Sequence, residues 1–295
     1  MMQKIPSQFA HNWLPKLVIS PTFLCGLVFI YGFILITAGL SFSESRLLPN
    51  WEWAGLDRYE QLFENERWWQ SARNLGIFGS LFIAISMGLG LLLAIFLDQK
   101  IRLEGTLRAI YMYPMALSFI VTGTAWKWIL NPGTGLEKTM HEWGWSSFTF
   151  DWLVNSDMSI YCVVIAGVWQ SVGFTMALCL AGLRGVDSEV MRAAQIDGAN
   201  AWVMYRRIIL PSMKPVFFSV ALMLSHIAIK SFDLVMALTS GGPGTSSDVP
   251  AIFMYQFSFN RGQLGVGAAA SMMMLMTVAA IAVPLMYAQT RGTEK

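Results

Sequence analysis

Residues 189–215 read EVMRAAQIDGANAWVMYRRIILPSMKP. This polar, amphipathic stretch lies between two of the most apolar parts of the chain, and its internal punctuation is regular. Asp187 is a good N-cap residue and Ser188–Asp197 contains neither Pro nor Gly, so the spacing predicts a helix of about ten residues and about 15 Å. Gly198, free to take positive φ, ends it. A second helix is expected over Ala199–Ile209, with Trp202, Tyr205 and Ile209 on one face and Pro211 and Pro215 as its stop. Ala193 and Ala194 let the first helix approach another surface closely, and Arg192 and Gln195 remain available for polar contacts. From the residues alone two readings stay open: a hairpin resting on lipid headgroups through Arg206 and Arg207, or a docking surface for a partner.

The surroundings place this stretch in a membrane protein. Of 295 residues, 55% are hydrophobic and 13% charged, and the mean hydropathy is +0.51, outside the usual range of soluble domains. Six apolar runs of about 20 residues can each cross the hydrocarbon core: Leu17–Leu40, Leu75–Leu97, Leu107–Leu130, Ile160–Leu183, Val216–Leu238 and Leu264–Tyr287. The first exceeds a signal-peptide core and is read as a retained helix. Lys and Arg concentrate in the segments that share a side with the N-terminus, among them Lys4, Lys16, Lys100, Arg184, Arg192, Arg206, Arg207 and Lys295. Positive loops stay cytoplasmic, so both termini and the 187–215 loop, between the fourth and fifth spans, are expected inside. The outer connections are long and tryptophan-rich, as an interfacial belt would be.

Several chemistries find no support. A net charge of +2 with no basic run argues against nucleic acid. Cys25, Cys162 and Cys179 fall in apolar segments without CxxC spacing, and His11, His141 and His226 are scattered, so no metal site is expected. PGTGLEKT (132–139) is the one stretch like a phosphate loop, but Glu137 precedes the lysine where a Walker A loop needs glycine. No hydrolase motif is present, so catalysis in this chain is not expected. His226, Lys230 and Asp233, at i, i+4 and i+7, would share one stripe of the fifth span. Charge in mid-membrane is costly, so the stripe is expected to face a bundle interior or a solute path; Trp169 and Gln170 are weaker candidates for the same path. Gly88, Gly90, Gly265 and Gly267 read as close helix contacts. Met272–Met274 and Met276 read as an adaptable interface rather than a metal path.

Ala193-Ala194, Gly198, Ile208 and Leu210-Pro211, with Asp197-Gly198-Ala199 around the glycine, resemble the cytoplasmic EAA loop of binding-protein-dependent ABC importer permeases. Arg192 stands at that family's glutamate position, a reversed charge, with Glu189 one turn earlier on the same face. The likeness extends from about Asn74 toward the C-terminus and is closest to the carbohydrate-uptake branch, in particular its larger maltose-transporter-type membrane subunit. Three stretches carry it: YEQLFENERWWQSARN (59–74), residues 114–135 with Trp126, Pro132 and Gly135, and FDLVMALTSGGPGTSSD (232–248). The resemblance implies an all-α integral membrane protein of six transmembrane helices, the type I ABC importer permease fold, with a coupling helix between the fourth and fifth. It implies an N-terminal segment, first span and external loop (1–73), a five-span core (74–290) and a cytoplasmic tail (291–295). The implied partners are a homologous second permease, two cytoplasmic ATP-binding subunits that use ATP and Mg, and an extracytoplasmic solute-binding protein, all at an inner membrane. The implied cargo is a sugar. The same machinery for a polyol or glycerol-phosphate-type solute is the nearest alternative, and a self-contained secondary transporter using Lys230 and Asp233 is the rival from another class. The last would show no internal half-to-half repeat here, contrary to many such folds.

Overall fold

Long apolar runs satisfy their own backbone groups as helices once water is excluded, and helices make up the structure. The computed structural model describes residues 8–99 and 101–293. In chain order these form α1 (Gln8–Ser41), α2 (Asp57–Phe63), α3 (Glu66–Asp98), α4 (Glu104–Met112), α5 (Phe119–Ile129), α6 (Leu136–Glu142), α7 (Ser159–Arg184), α8 (Ser188–Ile196), α9 (Ala201–Met204), α10 (Leu210–Ser212), α11 (Lys214–Ile229), α12 (Phe232–Leu238), α13 (Pro250–Tyr255) and α14 (Leu264–Thr293). Among the described residues the β-pairing is a single bridge, Ser43 with Trp53. Lys4, Lys100 and Lys295, three cations of the orientation argument, lie outside the described residues.

Among the described residues four helices are long and apolar enough to cross a membrane: Ile19–Ser41, Glu66–Asp98, Ser159–Arg184 and Leu264–Ala288. Ala201–Ser212 with Lys214–Ile229, bent by 62°, makes a fifth if counted as one span. At 33 residues α3 is about 50 Å long, more than the hydrocarbon core needs, so its first turns project beyond it.

The third and fifth expected runs are each interrupted. Between α4 and α5 the chain passes through a tight turn at Tyr113–Ala116 containing Pro114, then extended Leu117, and restarts where Ser118 Oγ accepts from Val121 N at 3.3 Å. The proline cannot donate to the preceding turn, and the new start has its own cap. The fifth run breaks at Lys230-Ser231. His226, Lys230 and Asp233 therefore do not share a continuous helical stripe, because the i, i+4, i+7 argument holds only within one helix. Lys230 sits at the C-terminal end of α11 and Asp233 in the first turn of α12. A cation at a helix C-terminus and an anion at an N-terminus each meet the favourable end of a helix dipole.

The core forms where α3 lies along α7. Gly90 faces Thr175, a Cβ on it falling 2.5 Å from the threonine methyl, while Gly167 takes the Phe82 ring. Gly88 has nothing within 4 Å of its Cβ position, so only the second of that glycine pair is a close contact. Phe78, Phe82, Val163, Leu224, Leu234 and Ile252 fill the centre. The detached halves of the two broken runs pack on each other: Gly123 of α5 receives Ala237 of α12. Near the beginning of α14, Gly267 lies against Ser258, and α1 and α2 pack alongside α14.

Arg67, in the first turn of α3, donates to Asp248 at 2.6 Å, and Asn74 Nδ2 donates to the Asp248 carbonyl at 2.8 Å. Two stretches 181 positions apart are thus clasped beyond the end of the bundle. The Asp248 side chain is 0% exposed. Burial pushes its carboxyl up from the usual carboxylate range, against the pull of the Arg67 guanidinium.

Two outcomes follow from this packing. A Cβ on Gly173 would stand 3.0 Å from Met112 Cα and closer still to the Tyr111 carbonyl, so Gly173→Ala should lower stability by about 1–3 kcal/mol; thermal unfolding followed by size-exclusion chromatography in detergent tests this. Arg67→Gln should cost about 3–5 kcal/mol at neutral pH, because it leaves a buried carboxylate unpaired. Its folded-state pKa then rises further above the unfolded value, so stability falls as pH rises through that interval. The variant's deficit against the unsubstituted protein should be smaller at pH 5 than at pH 8, and an equal deficit would argue against the buried charge as its cause.

Candidate coupling loop and polar path

At one end of the bundle α3 and α7 terminate together. Arg184 donates to Glu104 at 2.7 Å and to Asp98 at 3.4 Å, tying the end of α7 to the end of α3 and the start of α4. The chain then leaves the bundle through Gly185 and enters α8. Asp187 caps it, its carboxylate accepting from Glu189 N at 2.8 Å. The other end is closed by a Schellman motif: Gly198 N donates to Gln195 O at 3.1 Å and Ala199 N to Ala194 O at 3.0 Å, with Gly198 at φ +79°. The helix is Ser188–Ile196, within one residue of expectation.

The second helix differs from the sequence expectation. It starts at Ala201 with Asn200 as its cap, accepting from Val203 N at 2.9 Å, and runs through a π turn at Tyr205–Ile209. Pro211 does not stop it; α10 continues to Ser212. The widened turn carries a Leu210 N to Tyr205 O bond, one residue longer than the α pattern, and relieves the carbonyl that the proline ring would otherwise strike. Trp202 is exposed and does not share the buried face of Tyr205 and Ile209.

The loop therefore has an inner and an outer side. Met191, Met204, Tyr205 and Ile209 join Leu97, Leu180 and Leu183 in the apolar cluster at the base. Ala194 is buried too. Glu189, Arg192, Ala193, Asp197 and Gly198 face solvent, with Val190, Ile196 (86% exposed) and Trp202 among them as uncovered apolar side chains. Ala199, Ile208 and Leu210 are half-buried, and Pro211 is exposed. The charges of Glu189 and Arg192 form no ion pair with each other.

The five residues expected along a path are not brought into one cluster. His226 lines a cavity of about 400 Å³ with Met115, Phe174, Met223 and Ile281, and none of the other four borders it. Lys230 and Asp233 are exposed and form no ion pair with each other. Gln170, 3% exposed, donates from Nε2 to the Leu117 carbonyl at 2.7 Å, at the interruption between α4 and α5. Its Oε1 has no partner. Trp169 stands edge-on to Trp126, ring centroids 5.9 Å apart. The 132–139 stretch forms a turn and the start of α6, where Glu137 accepts from Phe150 N at 3.0 Å. Among the described residues no group of three His, Cys, Asp or Glu could hold a metal ion.

The residues that sequence reading missed are Arg67, Asn74 and Asp248. All three lie within stretches already singled out by resemblance, but nothing in the sequence pairs a residue near position 70 with one near 250.

Residues 86–291, well over half the chain, match the family described as binding-protein-dependent transport system inner membrane component. The chain belongs to that family. Full-length relatives of this inner membrane component agree. It is 36% identical over 270 residues to a probable ABC transporter permease protein of Pyrococcus horikoshii, covering 91% of this chain and 92% of the relative. It is 31% identical over 264 residues to the xylose/arabinose import permease protein XacH of Haloferax volcanii, covering 88% and 83%. It is also 31% identical over 258 residues to the trehalose/maltose transport system permease protein MalF of Thermococcus litoralis, covering 86% and 85%. A chain in the crystal structure of a bacterial ABC transporter involved in the import of the acidic polysaccharide alginate has the same fold, with TM-score 0.83 at 20% identity over 96% of this chain and 97% of that one.

The Gly198 turn provides a local test. A β-branched residue at φ +79° costs about 1–3 kcal/mol, whereas Asn visits that region readily. Limited proteolysis within 196–200 should accelerate several-fold in Gly198→Val and stay near the parental rate in Gly198→Asn.

Proposed function

We propose that this inner membrane component is one half of the translocation pathway of an ATP-driven importer for a mono- or oligosaccharide. Loop 187–215 transmits the work of cytoplasmic ATPase subunits to the spans. The single observation that carries the reading is the Schellman-closed helix Ser188–Ile196, seated through Met191 on the base of the bundle at the end pinned by Arg184, with Val190, Ala193 and Ile196 uncovered in a chain of this family. A capped helix with small and apolar side chains on its free face, and Arg192 as its one cation, fits a groove in another protein better than a headgroup layer. Contact residues toward the ATPase are Glu189, Arg192, Ala193, Asp197 and Gly198 on the exposed side, with Ala194, Ala199, Ile208, Leu210 and Pro211 shaping the base. Arg192 in place of the family's glutamate calls for an acidic or neutral partner group.

ATP and Mg are used by two partner subunits, not by this chain. A second, homologous permease completes the pathway, and an extracytoplasmic binding protein delivers the solute. The chain crosses an inner membrane six times with both termini in the cytoplasm, the broken runs α4–α5 and α11–α12 serving as the third and fifth crossings. Residues 74–290 form the core; 1–73 add the first crossing and external loop, and 291–295 a tail of which Glu294 and Lys295 lie outside the described residues. The names of the relatives from Haloferax volcanii and Thermococcus litoralis support a sugar as cargo. His226, Lys230 and Asp233, with Trp169 and Gln170, are the polar groups available to a sugar's hydroxyls once a second permease encloses them.

Tagging the chain, extracting it gently from its native membrane and identifying co-eluting proteins by mass spectrometry tests the reading. A second permease and an ATPase subunit are expected. Recovery alone, or only with copies of itself, under several mild detergents would overturn it in favour of a secondary transporter.

A further inference from the structure

The end of the bundle opposite loop 187–215 carries a pocket that the importer reading does not use. It measures about 370 Å³ and is lined by Ser45, Arg46, Arg58, Gln61, Arg261 and Gln263, with no carboxylate among its lining residues. None of the three guanidiniums joins an ion pair with a described residue. The pocket is assembled by backbone contacts. The first N–H groups of α14 are received by the loop after α1: Leu264 N donates to Arg46 O at 3.3 Å and Gly265 N to Ser45 O at 2.8 Å. That seam sets Arg46 beside Arg261, whose guanidinium carbon stands 4.5 Å over the Phe257 ring. Arg58 reaches in from α2, held by Nε to Ser43 O at 3.2 Å and Nη1 to Gln61 Oε1 at 2.9 Å. Asp248, the carboxylate that feels Arg261 from beyond ion-pair distance, is itself paired with Arg67, so the three cations repel one another with no carboxylate bound among them, and guanidinium forks match the oxygens of a phosphate.

The surroundings of the pocket bear on where such a phosphate would come from. It sits over the adjoining ends of α1 and α14, both membrane-crossing by length and composition. The loop beyond Arg46 turns back toward the bilayer: the Trp51 ring lies against Gly39, two residues before α1 ends, a Cβ there falling 2.9 Å from the ring. Leu47, Leu48 and Trp53 in the same loop are exposed. Tryptophan and leucine folded back along a span end occupy the interfacial layer, which places the arginines at headgroup level. We infer that this pocket binds the phosphodiester of an anionic phospholipid in the extracytoplasmic leaflet, fixing α1 against α14. The inference stands independently of the cargo and of the ATPase contact; only its choice of leaflet rests on the proposed orientation of the chain.

The test is native mass spectrometry of the full chain in its native assembly, released from nanodiscs of mixed phosphatidylglycerol and phosphatidylcholine. The unsubstituted protein should retain phosphatidylglycerol preferentially. The double variant Arg46→Gln/Arg261→Gln should lose that retention by about tenfold or more, the factor for one charge-assisted contact or better. Arg46→Lys/Arg261→Lys, which preserves charge, should keep more lipid than the Gln pair and controls for assembly. Equal retention by the parent and an intact Gln variant would overturn the inference, since the arginines would then serve another anion such as an acidic side chain of a docking protein. Displacement of the lipid by millimolar inorganic phosphate would also overturn it, making the ligand a free anion.

Discussion

A helix interrupted inside a membrane leaves backbone donors and acceptors that lipid cannot satisfy, and the arrangement of this chain turns on how those groups are answered. The third run breaks at 113–118, and there Gln170, from α7, donates to the Leu117 carbonyl while Ser118 caps the restart. The fifth run breaks at 230–231, and there Lys230 and Asp233 stand at the two helix ends whose dipoles favour them. Once broken, the halves are free to take different neighbours. α11 lies against α3 and α14, while α12 packs on α5 through the Gly123–Ala237 contact. Polar residues that would be costly in an unbroken apolar helix thus have a structural reason to be where they are. A role on a solute path is compatible with that placement and draws on the same exposed groups.

The two ends of the bundle are built differently. At the end bearing α8, the pairs from Arg184 to Asp98 and Glu104 are exposed, and the loop beyond them is closed by hydrogen bonds of its own, from Asp187, Gly198 and Asn200. A unit that carries its own caps keeps its shape while its outer surface stays free for contact. At the opposite end the anchoring is buried and long-range: Arg67 and Asn74 hold Asp248, and the α14 start is received by Ser45 and Arg46. Stiffness at the second end and an uncovered surface at the first are what a membrane domain driven from the cytoplasm would need.

Much of the loop was legible in advance because its rules are local. An N-cap at Asp187 and a C′ glycine at Gly198 depend on residues within one helical turn, so α8 was placed to within one residue. Pro211 reads as a stop in the sequence, which does not announce a π turn: Tyr205–Ile209 widens the helix ahead of the proline and removes the clash that normally ends one. The helical stripe through His226, Lys230 and Asp233 failed for a related reason. Periodicity assumes an uninterrupted helix, and neither Gly nor Pro marks the break at Lys230-Ser231.

By itself the sequence determined that this is a helical membrane protein with a capped polar helix between apolar runs, and its loop spacing resembled the family that the comparisons then established. Those properties follow from hydrophobicity and capping, which act over a few neighbouring residues. Only the tertiary structure decided that Gly90 and not Gly88 is a helix contact, that Arg67 reaches Asp248, and that Arg46, Arg58 and Arg261 meet in one pocket. Each depends on which distant segments come to lie side by side, and close packing settles that across the whole bundle at once.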